Sequence, residues 1–532
     1  MGSDKGKSGY GTALDFCEDG TSLIVRNRGN TDYKGEMIIH CDRETEKTTD
    51  REQFFAGHTR GDFRGGTNPC CALTAKVRIK PRESVTISFI MGFAYKNSYK
   101  LPEAFRNVST EWKMAELPQL NSRNPEINKL YSYWLPWQTL GCRMWARSAF
   151  YQNGGAYGFR DQLQDSLAAV HFMPDEAKRQ ILRCCASQFQ EGDVLHWWHR
   201  TNHGRKGVRT KCSDDMLWLP YVTAYYVKNT GDRNILKLNV QYINGEDLGS
   251  QHEKYMEVSR TDVRENVYQH CKKALEKCFK KGGKELLQIG SGDWNDGYNR
   301  VGIDGRGESV WLSIFYVLVV KEFAPIAREM EEDQYATELE KRAAELTAAI
   351  TENTFENGYF LRAFYDDSRK MGSSDSDCCK IDLLPQAFSV LADIPDEEKR
   401  KSALEKAYEA LVDEEKGIIK LFTPAFSPEM TDDDPGYVKS YPVGVRENGG
   451  QYTHGAIWLA LAFLRNGDKA TARKLADFLS PVNRGEIYKN EPYYMTADVY
   501  TNPEAYGRGG WSLYTGSAAW YFLLLRELYR GE

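Results

Sequence analysis

From about residue 102 onward the chain carries helical periodicity of two kinds that take turns. SVWLSIFYVLVVKEFA (309–324) and GAIWLALAFLRNG (455–467) are apolar nearly all round, whereas EEDQYATELEKRAAELTAAI (331–350) gathers Tyr335, Leu339, Leu346 and Ile350 on one face with charges opposite. A helix without a polar face must be covered on every side, and an amphipathic helix covers something with its single apolar stripe. Alternation of the two predicts inner helices wrapped by outer ones, an α/α toroid. Helix ends support the segmentation: Pro174 and its following acids open one helix, and Gly231 closes another.

The first hundred residues read differently. Short alternating runs, TSLIVRNRG (21–29), GEMIIHC (35–41), LTAKVRIK (73–80) and SVTISFIMGFA (84–94), are strand signals separated by turn residues. The expected organisation is a strand-rich region over 1–101, a transition over 102–125 and the helical toroid over 126–532.

Composition excludes several partners. Lys and Arg number 70 against 75 Asp and Glu, a net charge of −5 that leaves no basic excess for a phosphate backbone. The longest mostly apolar run, 310–320, is short for a membrane span, and the N-terminus has no apolar signal region, so a cytoplasmic protein is expected. The 12 cysteines form no CxxC and no cluster with histidine at zinc spacing, which reads as reduced core thiols. The 12 Trp and 31 Tyr often fall in polar, Gly-rich segments, as they would in a cleft that stacks flat rings on a polar ligand.

Five such segments hold the unusual chemistry: NGGAYGFRDQLQD (153–165), EGDVLHWWHR (191–200), GSGDWNDGYNRVG (290–302), GVRENGGQYTHG (444–455) and GRGGWSLYTGSAAW (507–520). Each is expected to lead into a helix, and loops leading into inner helices of a toroid converge on one end. In DWND, Asp296 suits a proton donor at a glycosidic oxygen, its pKa raised by burial. Trp294 can pack on a sugar ring, and Asp293 can accept hydrogen bonds from hydroxyls or neighbouring backbone; a loop that merely caps the next helix is the plainer alternative. A hydrolase would need a second carboxylate, Glu447 or Asp161, over a water. A phosphorylase would instead need anion donors, which Arg160, His454 and the Thr515-Gly516 pair could supply. HWWH (196–199) lacks a third metal ligand, so Trp197 and Trp198 read as sugar platforms or a packed loop, with no metal expected.

Taken in order, GFRDQLQD, EGDVLHWWH, GSGDWNDGYNRVG with GRGESVWL, ENGGQYTHG and YTGSA resemble the catalytic domain of glycoside hydrolase family 94, over about residues 126–525. These are inverting phosphorylases of β-linked glucosides. The resemblance implies an (α/α)6 barrel preceded by a β-sandwich and a helical linker, usually in a homodimer. It implies Asp296 as general acid, with Trp294, Asp161 and Glu447 holding the glucosyl unit. Asp293 and Trp197 are secondary sugar contacts on this reading. His454, Thr515, Gly516 and Arg160 match the phosphate site, with Arg160 shared between phosphate and sugar. No cofactor is implied; inorganic phosphate is the co-substrate, and a β-glucan oligosaccharide is the other partner. NGGAYGFRDQLQD and DVLHWWH look most like phosphorylases of β-1,2-oligoglucans and the matching domain of cyclic β-1,2-glucan synthases. Cellobiose-type phosphorolysis, inverting hydrolysis and non-catalytic glucan binding are the alternatives. Two departures stand out. Family members carry more β-structure on both sides, which a partner chain could supply here. The cellobiose and chitobiose enzymes also place an Arg shortly before GFRD where this sequence has Asn153, a gap that Arg143 or Arg147 could fill.

Overall fold

A computed structural model describes residues 14–19, 21–27, 35–60, 69–95, 117–145, 156–201, 204–427, 429 and 433–530. Asn153, Arg147 and residues 102–116 of the expected linker lie outside these. The chain divides into two compact units, 1–115 with 200–204, and 116–199 with 205–532.

In the first unit, β1 (Leu14–Asp19), β2 (Ser22–Asn27), β3 (Gly35–Cys41) and β6 (Phe89–Tyr95) form an antiparallel sheet in the order β1-β2-β3-β6, and β4 (Glu46–Asp50) pairs with β5 (Pro69–Thr74). Leu23, Ile24, Val25 and Ile38 are buried. LTAKVRIK was expected as a strand, yet β5 ends at Thr74 and residues 76–80 are exposed, without a ladder partner among the described residues.

The second unit begins irregularly at 117–124 and turns helical at Pro125, capped by Asn124. Helix α1 (125–144) switches to π-type bonding at Leu130–Trp134 and Gln138–Met144, on either side of Pro136, whose missing N–H interrupts regular α-bonding. Six inner helices follow: α2 (Phe159–Ala169), α4 (Trp218–Thr230), α6 (Val310–Glu329), α8 (Leu383–Leu391), α10 (Thr453–Arg465) and α12 (Ser517–Leu528). Each packs on the next, and α12 packs back on α2, closing the ring. Helices α3 (Pro174–Cys185), α5 (Val267–Cys278), α7 (Asp333–Asn353), α9 (Glu397–Leu411) and α11 (Lys469–Leu479) lie outside them, and α1 completes the outer layer against α12. This is the expected (α/α)6 barrel. The predicted division of labour holds, with Tyr335 of the predicted face only half-buried. All nine residues of α8 are buried, whereas α7 buries only Ala336, Leu339, Leu346, Ala349 and Ile350.

Helix α6 runs 20 residues, long and apolar enough to cross a membrane by length and composition, but 78% of its most apolar window is buried inside the protein. Its hydropathy therefore reflects a core position in the ring. One element was not expected: a five-stranded antiparallel sheet, β10-β11-β9-β8-β7, built from β7 (Tyr157–Gly158), β8 (Leu195–Thr201), β9 (Gly204–Thr210), β10 (Asn239–Asn244) and β11 (Glu253–Asn266). HWWH thus lies on a strand instead of a loop before a helix.

Candidate active site

The N-terminal ends of the inner helices supply the chemistry. Arg160 and Asp161 sit in the first turn of α2, His454 is the second residue of α10, and Thr515-Gly516 immediately precede α12. DWND is held by a small ladder in which Leu287–Gln288 pairs with Glu308–Ser309, whose last residue caps α6. Gly290 adopts φ +63°, and a Cβ there would lie 2.2 Å from the Lys211 carbonyl, so glycine is needed for this loop to pass. One cavity is lined by Arg143, Arg160, Asp161, Trp294, Asp296, Glu447, His454, Thr515 and Gly516, together with Tyr437, Tyr441, Tyr452, Arg446, Trp511 and Tyr514. Segments more than 350 residues apart in sequence therefore meet, as the toroid predicts.

Asp296 opens a short 3-10 turn and keeps a half-exposed carboxylate. Arg160 Nη2 donates to its Oδ1 at 2.6 Å, and His196 Nε2 lies 3.7 Å from its Oδ2. Burial pushes this carboxyl up, but the Arg160 and His196 charges together outweigh it and hold the group well below the usual carboxylate range. This corrects the expectation of a raised pKa: the free site keeps Asp296 ionised. His196 in turn bonds Asp215 through Nδ1 at 2.8 Å. Burial lowers its imidazole, but Asp215 and then Asp296 raise it well above its ordinary value.

Asp293 is corrected as a sugar contact. It is fully buried, with Arg362 donating to both its oxygens at 2.6 and 2.7 Å and Ser309 Oγ to one at 2.6 Å. It anchors the loop and has no face on the cavity. Arg160 is corrected as a phosphate ligand. It lines the cavity, but its donors go to Asp214 (2.5 Å), the Asp293 and Trp294 carbonyls (2.8 and 3.0 Å) and Asp296. The cation nearest the Thr515-Gly516 turn is instead Arg143, whose Nη2 lies 3.4 Å from where a Cβ on Gly516 would sit. Arg143 is buried, paired with Asp165 at 2.9 Å and set over the Tyr514 ring. The Arg143 alternative for the residue missing before GFRD is therefore the one the geometry favours among the described residues.

Trp197 is also corrected. Strand alternation sends His196 and Trp198 to one face and Trp197 to the other, where it meets His199 and Tyr255 rather than the cavity. Trp198 is fully buried against Tyr157. Trp294 packs edge-on against Tyr452 and His454 and remains 7% exposed, on the cavity side. Glu447 is drawn up by burial against the pull of Arg446, which adopts φ +51° and lies over Trp511. Sequence reasoning did not single out Asp214, Asp215, Arg446, Tyr437, Tyr441, Tyr452, Trp511 or Tyr514. Asp214 and Asp215 had a signal, two acids directly before an inner helix in CSDDMLW.

His196, Cys212 and Asp215 place ligand atoms within 4.8 Å of one another. Arg160 Nη1 lies 3.5 Å from the Cys212 sulfur, so a guanidinium already supplies positive charge at that cluster. Chemically the cavity joins three carboxylates, Asp161, Asp296 and Glu447, to an anion cradle. The cradle consists of Arg143, His454, the Thr515 hydroxyl and the N-termini of two inner helices.

A family model described as the glycosyl hydrolase 94 superfamily, catalytic domain, matches residues 112–531. The cyclic β-(1,2)-glucan synthase NdvB of Rhizobium meliloti (strain 1021) is 35% identical over 98% of this chain and 20% of its own length. The N,N'-diacetylchitobiose phosphorylase of Vibrio proteolyticus is 25% identical over 87% of this chain and 60% of its own. The chain thus spans from a fifth to three-fifths of the length of these relatives. Among solved structures, a bacterial glucoamylase complexed with acarbose superposes with a TM-score of 0.57 at 11% identity, covering 97% of this chain and 74% of that one. At that identity the likeness is one of fold, the (α/α)6 barrel.

Proposed function

The chain belongs to the glycosyl hydrolase 94 superfamily, and on that premise we propose that it is an inverting phosphorylase of terminal β-glucosides. Asp296 protonates the glycosidic oxygen while inorganic phosphate, seated against Arg143, His454, Thr515 and Gly516, attacks the anomeric carbon from the opposite face. The products are α-glucose 1-phosphate and a shortened acceptor; in reverse, Asp296 acts as base toward the acceptor hydroxyl. The observation that carries this reading is the anion cradle of Arg143, His454, Thr515 and Gly516 lining the same cavity as Asp296, where a hydrolase would hold a water. The arrival of a phosphate dianion opposes the Arg160 and His196 charges and favours protonation of Asp296, so the acid is armed as the complex forms. Asp161, Glu447 and Trp294 hold the glucosyl unit.

A β-1,2-linked oligoglucan is our proposed substrate, supported by the relative named as a cyclic β-(1,2)-glucan synthase. Phosphorolysis itself is supported by the relative named as a phosphorylase. A homodimer in the cytoplasm is part of the same proposal. Incubation with phosphate and β-1,2-, β-1,3- and β-1,4-glucobioses, assayed for glucose 1-phosphate, tests it. Product is expected chiefly from the 1,2-linked sugar, and a preference for the 1,4-linked one would move the assignment to a cellobiose-type enzyme.

Gly516→Ala gives a local test of the cradle. The added methyl would lie 2.8 Å from His454 Cε1, forcing the ring aside. The expected outcome is a rise in the KM for phosphate of roughly tenfold, with sugar binding retained. An unchanged phosphate KM would remove Gly516 from the site.

A further inference from the structure

His454 Nε2 lies 3.0 Å from Gln164 Oε1, and the Trp520 indole nitrogen lies 3.2 Å from the same oxygen. An indole N–H only donates, so Trp520 fixes which end of the Gln164 amide faces the two rings: the carbonyl oxygen. That oxygen can only accept, so the proton of His454 resides on Nε2 and Nδ1 carries a bare lone pair. The opposite end of Gln164, its Nε2, is buried without a hydrogen-bond partner, as expected if Trp520 dictates the orientation. Nδ1 is directed at the cradle, 2.9 Å from where a Cβ on Gly516 would sit. The ring is neutral, because burial and then the Arg143 and Arg160 charges drive its pKa well below the ordinary value.

We propose that His454 is a hydrogen-bond acceptor in the anion cradle, so that the site takes an oxyanion bringing its own proton, monohydrogen phosphate, and discriminates against sulfate. Trp520 and Gln164 are the positioning residues that set this selectivity; neither lines the cavity. The inference rests on the phosphorylase reading and deepens it. Sulfate matches phosphate in shape but would oppose its oxygen lone pairs to that of Nδ1. In the reaction, the bond between the anomeric carbon and the glycosidic oxygen breaks with its electron pair going to that oxygen, which takes the proton of Asp296. A phosphate oxygen forms the new bond to carbon. The phosphate O–H stays on His454 Nδ1 throughout, so the product leaves as the glucose 1-phosphate monoanion and Asp296 remains as carboxylate.

Calorimetric titration of inorganic phosphate and of sulfate into the wild type and Trp520→Phe tests the proposal. Phosphate is expected to bind the wild type about tenfold or more tightly than sulfate. In the variant that ratio should fall toward one, because Gln164 can rotate and let His454 present an N–H. A purely structural loss would weaken both anions together, leave the ratio unchanged and contradict the assignment. Independently of any variant fold, the imidazole 15N–1H correlation spectrum of the wild type should place the His454 proton on Nε2. A proton on Nδ1, or equal affinity of the wild type for the two anions, overturns the proposal. Selective phosphate binding without glucose 1-phosphate formation from any glucobiose would sink the phosphorylase reading and leave the selectivity standing. Glucose 1-phosphate formation by a protein indifferent to sulfate would sink the selectivity alone.

Discussion

Asp296→Asn is expected to lose about 10²- to 10⁴-fold of turnover in phosphorolysis and in synthesis alike, while unfolding at the wild-type temperature. The side chain is half-exposed, and its polar partners among the described residues are Arg160 and His196, so an amide of equal size leaves the packing intact. The amide can neither protonate a glycosidic oxygen nor take a proton from an acceptor hydroxyl, which is why both directions fail together. Comparing rates of glucose 1-phosphate formation and consumption with a thermal melt separates this from unfolding. A variant retaining more than a tenth of wild-type turnover would move the acid elsewhere, with Glu447, whose carboxyl burial pushes up, the next group to test.

Arg362→Met is expected to be the most destabilising single change near the site, by about 3–5 kcal/mol. The guanidinium is fully buried, donates to both oxygens of Asp293, and lies 3.4 Å from Asp382. Asp382 caps α8, and Ser309, which caps α6, bonds the same Asp293 carboxylate. Removing the cation leaves two carboxylates buried without a counter-charge and unties the DWND loop from two inner helices. Arg328→Met, which breaks an exposed pair with Glu340, is the matched control and should cost less than about 1 kcal/mol. Urea unfolding followed by circular dichroism distinguishes the two. Equal midpoints for both variants would mean that Arg362 does not brace the loop.

The barrel was legible because its physics is local: α6 and α10 are apolar on every face, α7 on one, and burial follows that pattern. Loop convergence followed from the barrel, and with it the meeting of Asp161, Asp296, His454 and Gly516. The sheet of β7–β11 was not legible. Its long strand β11, EKYMEVSRTDVREN, is charged at seven of its fourteen positions and lacks a continuous apolar alternation. The side-chain directions within motifs were not legible either. Asp293 and Asp296 flank the same two residues, yet one is wholly enclosed by Arg362, a lone Arg in GYFLRAF with no motif of its own. Arg160 looked free to hold an anion because its partners, Asp214 and two loop carbonyls, come from segments 54 to 134 residues away. The ionisation of Asp296 was misjudged for the same reason. Burial was foreseeable, but the adjacent Arg160 and His196 charges arise only in the fold.

The central claim is that phosphate, and not water, is the attacking group beside Asp296. The most direct measurement is a 1H NMR time course with a β-1,2-glucobiose in buffer with and without inorganic phosphate. The account predicts the anomeric signal of α-glucose 1-phosphate growing in step with one equivalent of released glucose, and no consumption without phosphate. Release of two equivalents of glucose at the same rate in phosphate-free buffer would contradict it.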